Sequence, residues 1–595
     1  MQLKQVYIRG FRNFKEATIN FEDHTLIIGA NDVGKTNLIY ALRILLDKGF
    51  SEYDFELVES DFYAFEETSK ITIKAYFTNI EEECVTARLA GKISDEGNMV
   101  IQYNAEIIDG KVNYQFFCGK SDKDDDLKEI DSPYYRKYLN LKYISSRREF
   151  WSFINKTKKQ MLIQAKSNRT EEVIFSDDVL YAEIEQKLKE VDDKIPNLSY
   201  VRSATDELNK DLNNLSIHSQ EQTIVFDTAS TDVDRVISNV NITSKHGDKK
   251  MLIGGEGRIN QIYLSLWMSQ NRHTVTSNEV SLICIEEPEA YLHPHQQREL
   301  ASYLGKSLNG QIIMTSHSPF IVSEYSPNSI IRLYKSEQKQ TLAASDGCSK
   351  IIEGSFEDFG YRMSVIPAEA FFSDCAILVE GPSELIFYKT LAKQIDIDLD
   401  RLNVSILDVL GVQFEPYIKI LNALKIKWIL RTDNDIFKIP QKSEYRYAGI
   451  IKCISFLYLT YNVSDKEREI IYRGLKFIGS FPDKDNIPEQ TIAASNDIKE
   501  ILKSYDILIA KKGLEEDMFH SAIKEELRNY YKDKSDDEII SKMKGKKAIG
   551  LYKFIKKNKT CLSKLAKDDI SLPITLAKQY IEETYGTYWN PERNN

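Results

Sequence analysis

The strongest constraint on this chain is the stretch TLIIGANDVGKTNLIYAL, residues 25 to 42. An apolar strand runs into Gly29 and, in the spacing GxxxxGKT, on to Gly34, Lys35 and Thr36, where an amphipathic helical pattern begins. Such a strand, loop and helix cradle phosphate: backbone N–H groups point inward at a helix N-terminus, the lysine meets the β and γ phosphates, and the hydroxyl ligates Mg²⁺. Chance gives this pattern in on the order of a few hundredths of chains this long, before the strand and helix are required. The first part of the chain is therefore expected to be α/β and to bind ATP, with Gly29, Asn31, Gly34, Lys35, Thr36 and Asn37 as candidate contacts.

Two later strands fit the same site. SLICI ends in Glu286 and Glu287 and runs on through Pro288 to LHP at 292–294. At a strand's C-terminal end Glu286 suits a water-bridged Mg²⁺, and Glu287 suits orienting or deprotonating an attacking water. QIIMTSHSPF delivers His317, placed to sense a γ-phosphate. The order of these elements resembles the ABC-type ATPases, especially the DNA-repair and chromosome-maintenance branch. That resemblance implies a signature loop, matched here by IGGEGRINQIYLSL with Gly255 and Gly257, and a head-to-head dimer in which each signature loop closes over the partner's nucleotide. The wording departs from Ser-Gly-Gly, Glu286 stands where aspartate is commoner, and no glutamine loop is evident, so binding is better supported than hydrolysis.

At 595 residues the chain exceeds one core, and two or more domains are expected. No stretch approaches the roughly 18 apolar residues of a membrane span, the start lacks an apolar signal core, and the seven cysteines form no CxxC pair. These features point to the cytoplasm and to no membrane. A net charge of −11 repels nucleic acid at long range, so DNA binding requires a local basic surface; a lysine-rich run at 542–559 is a candidate, although a solvated helix face fits it equally well.

A second α/β unit opens near residue 370. CAILVEGPSE is a strand running into Glu380 and then Glu384, SILDVLG is a second strand closed by a glycine, and KIKWILRTDND is a third that delivers Asp433 and Asp435. In an open parallel sheet these ends converge on one crevice. Unpaired carboxylates gathered there repel, and hard divalent cations, Mg²⁺ or Mn²⁺, relieve the repulsion while gripping a phosphate. Singly, each motif is as well explained by a solvated loop; as a series they favour metal. The pattern resembles the Toprim fold of topoisomerases, primases and certain nucleases.

Within the first unit, residues 155–235 turn polar and helix-forming, with Ile184, Leu188 and Val191, then Leu208, Leu212 and Leu215, at helical spacing around Pro196 and Asn197. This reads as a helical hairpin, packed on itself or used as a dimer contact. The expected layout is an ABC ATPase domain in two parts, 1–154 and 236–345, an inserted helical dimerisation arm at 155–235, and a Toprim domain at 370–595, with SEQKQTLAASDGCSK as a linker-like stretch. That layout resembles the OLD (overcoming lysogenization defect) nucleases, and NDVGKTNLIYALRILLDK, IEEPEAYLH, TSHSP, VEGPSE and TDND look most like the nuclease subunits of Gabija antiphage systems, with retron-associated OLD nucleases as cousins.

The resemblance implies a further acid motif and a lysine, matched by GLEEDMFHSAI and MKGKKAI and carried over as Glu515, Asp517 and Lys547, with Glu516 and Lys546 as adjacent alternatives. It implies an ATP-regulated, two-metal DNA endonuclease of antiphage defence. Glu380 and Glu384 then serve one metal group, Asp433, Asp435, Glu515 and Asp517 the other, and Lys547 the scissile phosphate. It also implies a homodimer or homotetramer and a partner, either a helicase-like protein or a retron reverse transcriptase with its nucleic acid. The competing reading is an ATP-driven DNA clamp that does not cut.

Overall fold

The computed structural model describes residues 1–585 except 67, 147–149, 216–222, 224, 226–232, 239–242, 252–253, 272–277, 309, 337, 339, 349–364, 410–413, 533 and 546. It forms two compact units, one of Met1–Ser146 with His273–Asn595 and one of Arg147–Arg272. Among the described residues no helix is long and apolar enough to cross a membrane.

The first unit opens with β1 (Gln2–Phe11), β2 (Phe14–Asn20), β3 (His24–Ile28), β4 (Lys70–Thr78), β5 (Met99–Ile108), β6 (Lys111–Gly119), β7 (Leu127–Ile130) and β8 (Leu139–Ile144). Six of these make an antiparallel sheet in the order β2-β1-β4-β5-β6-β7. In β4 every second residue is buried, the alternation of a sheet with one face on a core. After the second unit, with its hairpin β9 (Ser244–His246) and β10 (Lys249–Met251), the chain returns as β11 (Val280–Glu286), β12 (Ile312–Thr315), β13 (Ile330–Lys335) and β14 (Thr341–Ala343). A second sheet runs β14-β13-β3-β12-β11-β8, parallel except at β14. β11 is buried along its whole length, as expected of a strand covered on both faces.

Helix Lys35–Leu46 lies in the core common to both sheets, with Leu38, Leu42, Ile44 and Leu45 fully buried. Each such side chain contributes roughly 1.5–3 kcal/mol on burial, so the phosphate loop at the head of this helix is anchored on a fully buried helix face.

Part of the stretch read from sequence as linker-like is structured. Its Thr341–Ala343 forms β14, and Ser345 Oγ donates to the Ala423 carbonyl at 2.8 Å. The reason is non-local: Thr341 takes a backbone bond from its N–H to Asn13 O at 3.1 Å, and no window of polar sequence contains that partner.

Behind β14 follow β15 (Cys375–Val379), β16 (Val404–Asp408), β17 (Lys427–Thr432), β18 (Ile436–Lys438), β19 (Tyr445–Tyr447) and β20 (Ile507–Ile509). A four-stranded parallel sheet, β16-β15-β17-β20, has its own hydrophobic core with the C-terminal helices. The glycine read as closing its second strand, Gly411, lies outside the described residues. Arg332 of β13 ties this sheet to the ATPase sheet: fully sequestered, it donates to the carbonyls of Ser373 (2.9 Å), Leu424 (3.2 Å) and Lys425 (3.3 Å) and lies 3.4 Å from Asp374.

The second unit holds the helical hairpin, Glu171–Lys194 and Ser199–Leu215 joined by a 3₁₀ turn at Ile195–Asn197. It is wider than the stretch 155–235, because helix Phe150–Ser167 packs on helix Glu256–Asn271, with Phe150 and Phe153 against Tyr263 at ring distances of 5.6 and 4.3 Å. The hairpin's apolar stripe is partly open to solvent, Ile184 being 41% and Leu212 40% exposed.

Candidate active sites

The nucleotide loop spans residues 29–34 between β3 and helix Lys35–Leu46. Gly34 takes φ +111°, and a Cβ there would stand 2.2 Å from Asn13 Nδ2, so only glycine fits. Asn13 is a residue that motif reading misses. From the β1–β2 turn its Nδ2 donates to Val33 O and to Thr341 Oγ1, both at 2.7 Å, and its Oδ1 accepts from Asn37 Nδ2 at 2.8 Å. Asn37 is thus engaged from behind, also accepting from Arg12 Nη1 at 2.9 Å, whereas Asn31 and Thr36 are exposed on the loop.

Lys35 folds back on the loop carbonyls of Gly29 and Ala30, both at 2.9 Å. Burial lowers its ammonium to about 8, opposed by the charges of Glu287, Asp32, Glu289 and Glu286. Asp32 lies in the loop itself, and the three glutamates come from the end of β11 and the turn after it. Glu286 closes β11 opposite Thr315 of β12, and Tyr143 of β8 donates to its Oε2 at 2.6 Å. Glu287 follows in a left-handed turn, φ +43°, with an oxygen 3.6 Å from His317 Nε2. The His317 ring is made less basic by burial and by the Lys35 charge.

Glu289, also missed by motif reading, fixes this corner: its Oε1 accepts from Ser316 Oγ at 2.7 Å and from the His317 N–H at 2.8 Å. Burial raises its carboxyl above the usual range. Gly255 and Gly257 lie in the second unit, Gly255 at φ +83° just before helix Glu256–Asn271 and Gly257 in its first turn.

The second site forms at the C-terminal ends of β15 and β17. Glu380 bridges them, its Oε1 accepting from Thr432 Oγ1 at 2.5 Å and from the Asp433 N–H at 2.7 Å. The Asp433 carboxyl is pushed up to about 8, first by burial and then by the charges of Glu380, Glu384, Glu515 and Asp435. Five carboxylates from β15, the helix after it, the turn after β17 and helix Leu514–Phe519 therefore share one neighbourhood.

Gly449 keeps the aspartate turn in place: its N–H donates to Asp435 O at 3.1 Å, and a Cβ would stand 2.7 Å from Asp433 O. Asn434 pins the same turn to the next loop, from its N–H to Lys512 O (3.0 Å) and its Nδ2 to Lys511 O (3.1 Å).

The remaining expected ligands separate. Asp517 pairs with the buried guanidinium of Arg431 and accepts from the Lys511 N–H at 3.2 Å. Glu516 meets Lys544 at 3.2 Å. Lys547 opens helix Lys547–Asn558, and its side chain, like Lys546, lies outside the described residues. Among the described residues no three histidine, cysteine or acidic side chains are grouped closely enough to hold a metal ion as they stand. By chemistry the donor set fits a hard divalent cation: every group is a carboxylate, and the raised Asp433 carboxyl registers negative charge that a cation would offset.

A family model described as an AAA ATPase domain matches residues 1–322, and one described as the overcoming lysogenization defect protein-like TOPRIM domain matches residues 371–435. The chain belongs to the family of that AAA ATPase domain, whose model spans more than half of its length. It is an AAA ATPase domain followed by an OLD-like TOPRIM domain, which fits the two parallel sheets. The chain is similar to Endonuclease GajA of Bacillus cereus (strain VD045), 23% identical over 490 residues, with 77% of this chain and 79% of that protein covered. It is also similar to the Old nuclease of Escherichia phage P2, 23% identical over 515 residues and covering 77% and 81% of the two chains. A third relative, the OLD nuclease of Thermus scotoductus (strain ATCC 700910 / SA-01), is 26% identical over 176 residues, 28% of this chain and 33% of that one.

Proposed function

We propose that this protein is an OLD-type, ATP-regulated, divalent-metal-dependent DNA endonuclease of antiphage defence. The observation that carries the reading is the gathering of Glu380, Glu384, Asp433, Asp435 and Glu515 at converging strand ends, beside relatives named as nucleases. A DNA clamp that does not cut has no use for five mutually repelling carboxylates there.

Two divalent cations, Mg²⁺ or Mn²⁺, held by those five groups would supply water activation and stabilisation of the leaving 3′ oxygen. The chain's own side chains do the positioning. Thr432 and the Asp433 N–H orient Glu380. Asp517, engaged by Arg431, acts by setting the helix that carries Glu515. Lys547 is assigned to the scissile phosphate.

At the nucleotide site, Gly29, Asn31, Gly34, Lys35 and Thr36 receive ATP, with Mg²⁺ on Thr36, and Asn37 braces the loop. Glu286 serves the bound cation, Glu287 the attacking water, His317 the γ-phosphate, and Gly255 and Gly257 a partner subunit's nucleotide. The partly open stripe on the helical hairpin supports a homodimer or homotetramer. The likeness to Endonuclease GajA favours a Gabija setting with a helicase-like partner over a retron with its reverse transcriptase, in the cytoplasm.

The test is cleavage of plasmid and linear DNA by the purified protein in Mg²⁺ or Mn²⁺, with and without ATP, beside Glu380→Ala. Cutting that disappears in the variant supports the assignment. Full cutting by Glu380→Ala at matched metal refutes it, and no cutting by the natural protein, together with no metal binding, favours the clamp.

A further inference from the structure

Most of the lysine-rich run near the C-terminus stands outside the cutting centre. From Ile539 to Lys567 the chain carries ten lysines and no acidic residue, in a molecule whose net charge is −11. Lys544 meets Glu516 at 3.2 Å, and Lys564 pairs with Glu526. Lys553, Lys556, Lys557 and Lys559 are all exposed, and among the described residues they form no ion pair.

Helix Lys547–Asn558 sets the geometry. A helix turns by about 100° per residue, so Ile549, Tyr552, Lys553 and Lys556 fall on one face and Leu551, Phe554 and Ile555 on the other. The second face is buried in the core of the Toprim sheet. The first is open, Ile549 being 68% and Tyr552 53% exposed. Lys557 lies at its margin, 5.8 Å from the centre of the Tyr530 ring.

A face kept only for solubility carries both signs. Elsewhere on this protein helical cations pair with a glutamate four residues away, as Lys189 does with Glu185, Lys419 with Glu415 and Arg473 with Glu469. Lys553 has Lys556 and Lys557 at those spacings instead, and like charges there repel. Neighbouring elements offer little relief. Glu525 and Asp536 are engaged by Arg528 at 2.9 and 2.8 Å, and Asp537 and Glu538 stand in the first turn of helix Asp536–Gly545, at the opposite end from Lys544. A polyanion laid along the face removes the repulsion.

Tyr552 narrows the polyanion. Its ring sits among the lysines and, among the described residues, has no aromatic partner. A ring so placed takes the face of a base, which only an unpaired base presents. A bilayer fits less well, because the apolar side of this helix is already occupied by the protein's own core. Leu551 and Phe554 also line a small cavity shared with Glu515 of the carboxylate cluster. A strand on the outer face therefore runs within about one helix diameter, roughly 10 Å, of that acid.

We propose that this face holds a DNA strand with unpaired bases beside the cutting centre, with Lys553 and Lys556 on its phosphates and Tyr552 against a base. The choice of DNA rests on the nuclease reading. The preference for a single strand rests on the exposed ring among unpaired lysines.

The test is anisotropy of labelled oligothymidylate and of a labelled hairpin duplex with full-length protein in EDTA, where binding is read without cutting. The variants are Lys553→Gln with Lys556→Gln, Tyr552→Ala and Tyr552→Phe, each checked for native melting. The double lysine variant is expected to weaken both ligands about tenfold and to lower the single-strand salt slope by about 0.7 for each lysine lost. Tyr552→Ala should weaken oligothymidylate about tenfold and the duplex less than twofold, while Tyr552→Phe stays within about twofold on both.

Oligothymidylate binding that the double variant keeps in full overturns the proposal, and phosphatidylserine vesicles that it releases would then name a membrane as the occupant. A Tyr552→Ala loss that is absent, or equal on the duplex, overturns the single-strand assignment. Tighter binding of oligouridylate than of oligothymidylate overturns DNA in favour of RNA. Natural protein that cuts in Mn²⁺ with none of these effects loses the face and keeps the nuclease reading, and these effects without any cutting do the reverse.

Discussion

A methyl group at Gly449 would have to displace the Asp433 carbonyl, 2.7 Å away, and press on the Asp435 N–H at 3.0 Å. Because misplacing a catalytic group by about 1 Å costs on the order of a hundredfold, Gly449→Ala should cut metal-dependent cleavage by about that factor. A nucleotide-binding assay on the same variant should read as for the natural protein. The acids of this site were legible because a carboxylate ending an apolar strand has little structural excuse. Gly449 was not, since a glycine at the start of a helix looks like an ordinary cap until the aspartate turn is seen against it. The segment GLEED offered three acids, of which the resemblance selects Glu515 and Asp517 with Glu516 as the adjacent alternative. A helix advances by about 100° per residue, and this separates them: Glu515 joins the cluster, Glu516 faces Lys544 and Asp517 faces Arg431.

The strands of both parallel sheets announced themselves as apolar runs punctuated by glycine or acid, and the phosphate loop by its spacing. β14 did not. It is three residues long, sits in a polar stretch, and owes its place to Thr341, whose hydroxyl donates to Val33 O at 2.6 Å across 308 residues of chain. Thr341→Val keeps the shape and removes that bond together with the one from Asn13, leaving the loop less firmly preset. Its expected effect is a nucleotide affinity lower by about five- to tenfold, read by titration calorimetry, since each lost hydrogen bond is worth roughly 1 kcal/mol. At the same element, Lys35→Ala should remove the response of cleavage to ATP while metal-dependent cutting without ATP persists. A cleavage series across ATP concentrations decides it, and loss of cutting in the absence of ATP would count against separate sites for nucleotide and metal.

Across the whole molecule the junction between the two sheets includes a buried cation on backbone oxygens. Arg332→Met would leave the carbonyls of Ser373, Leu424 and Lys425 without their donor, at a cost of roughly 3 kcal/mol in unfolding free energy measured by denaturant titration. Sequence alone hides this residue, because an arginine near the start of a strand reads as a solvent-facing edge and only the docked Toprim sheet reveals it as interior. The hairpin of the second unit was legible from its turn and periodicity. Its packing was not, since the same stripe serves a helix partner within the chain or one beyond it.

Thr341 also bears on where this protein can be divided. The backbone that leads out of the ATPase sheet is the backbone that steadies its phosphate loop, through Asn13 and Val33. A truncation ending at Lys335, where the apolar strand pattern stops, would still contain every nucleotide motif and yet lack the residue that holds the loop from behind. One ending after Ala343 would retain it. The natural seam of the ATPase therefore lies several residues later than its hydrophobicity suggests, inside the very segment whose composition looks most like a tether.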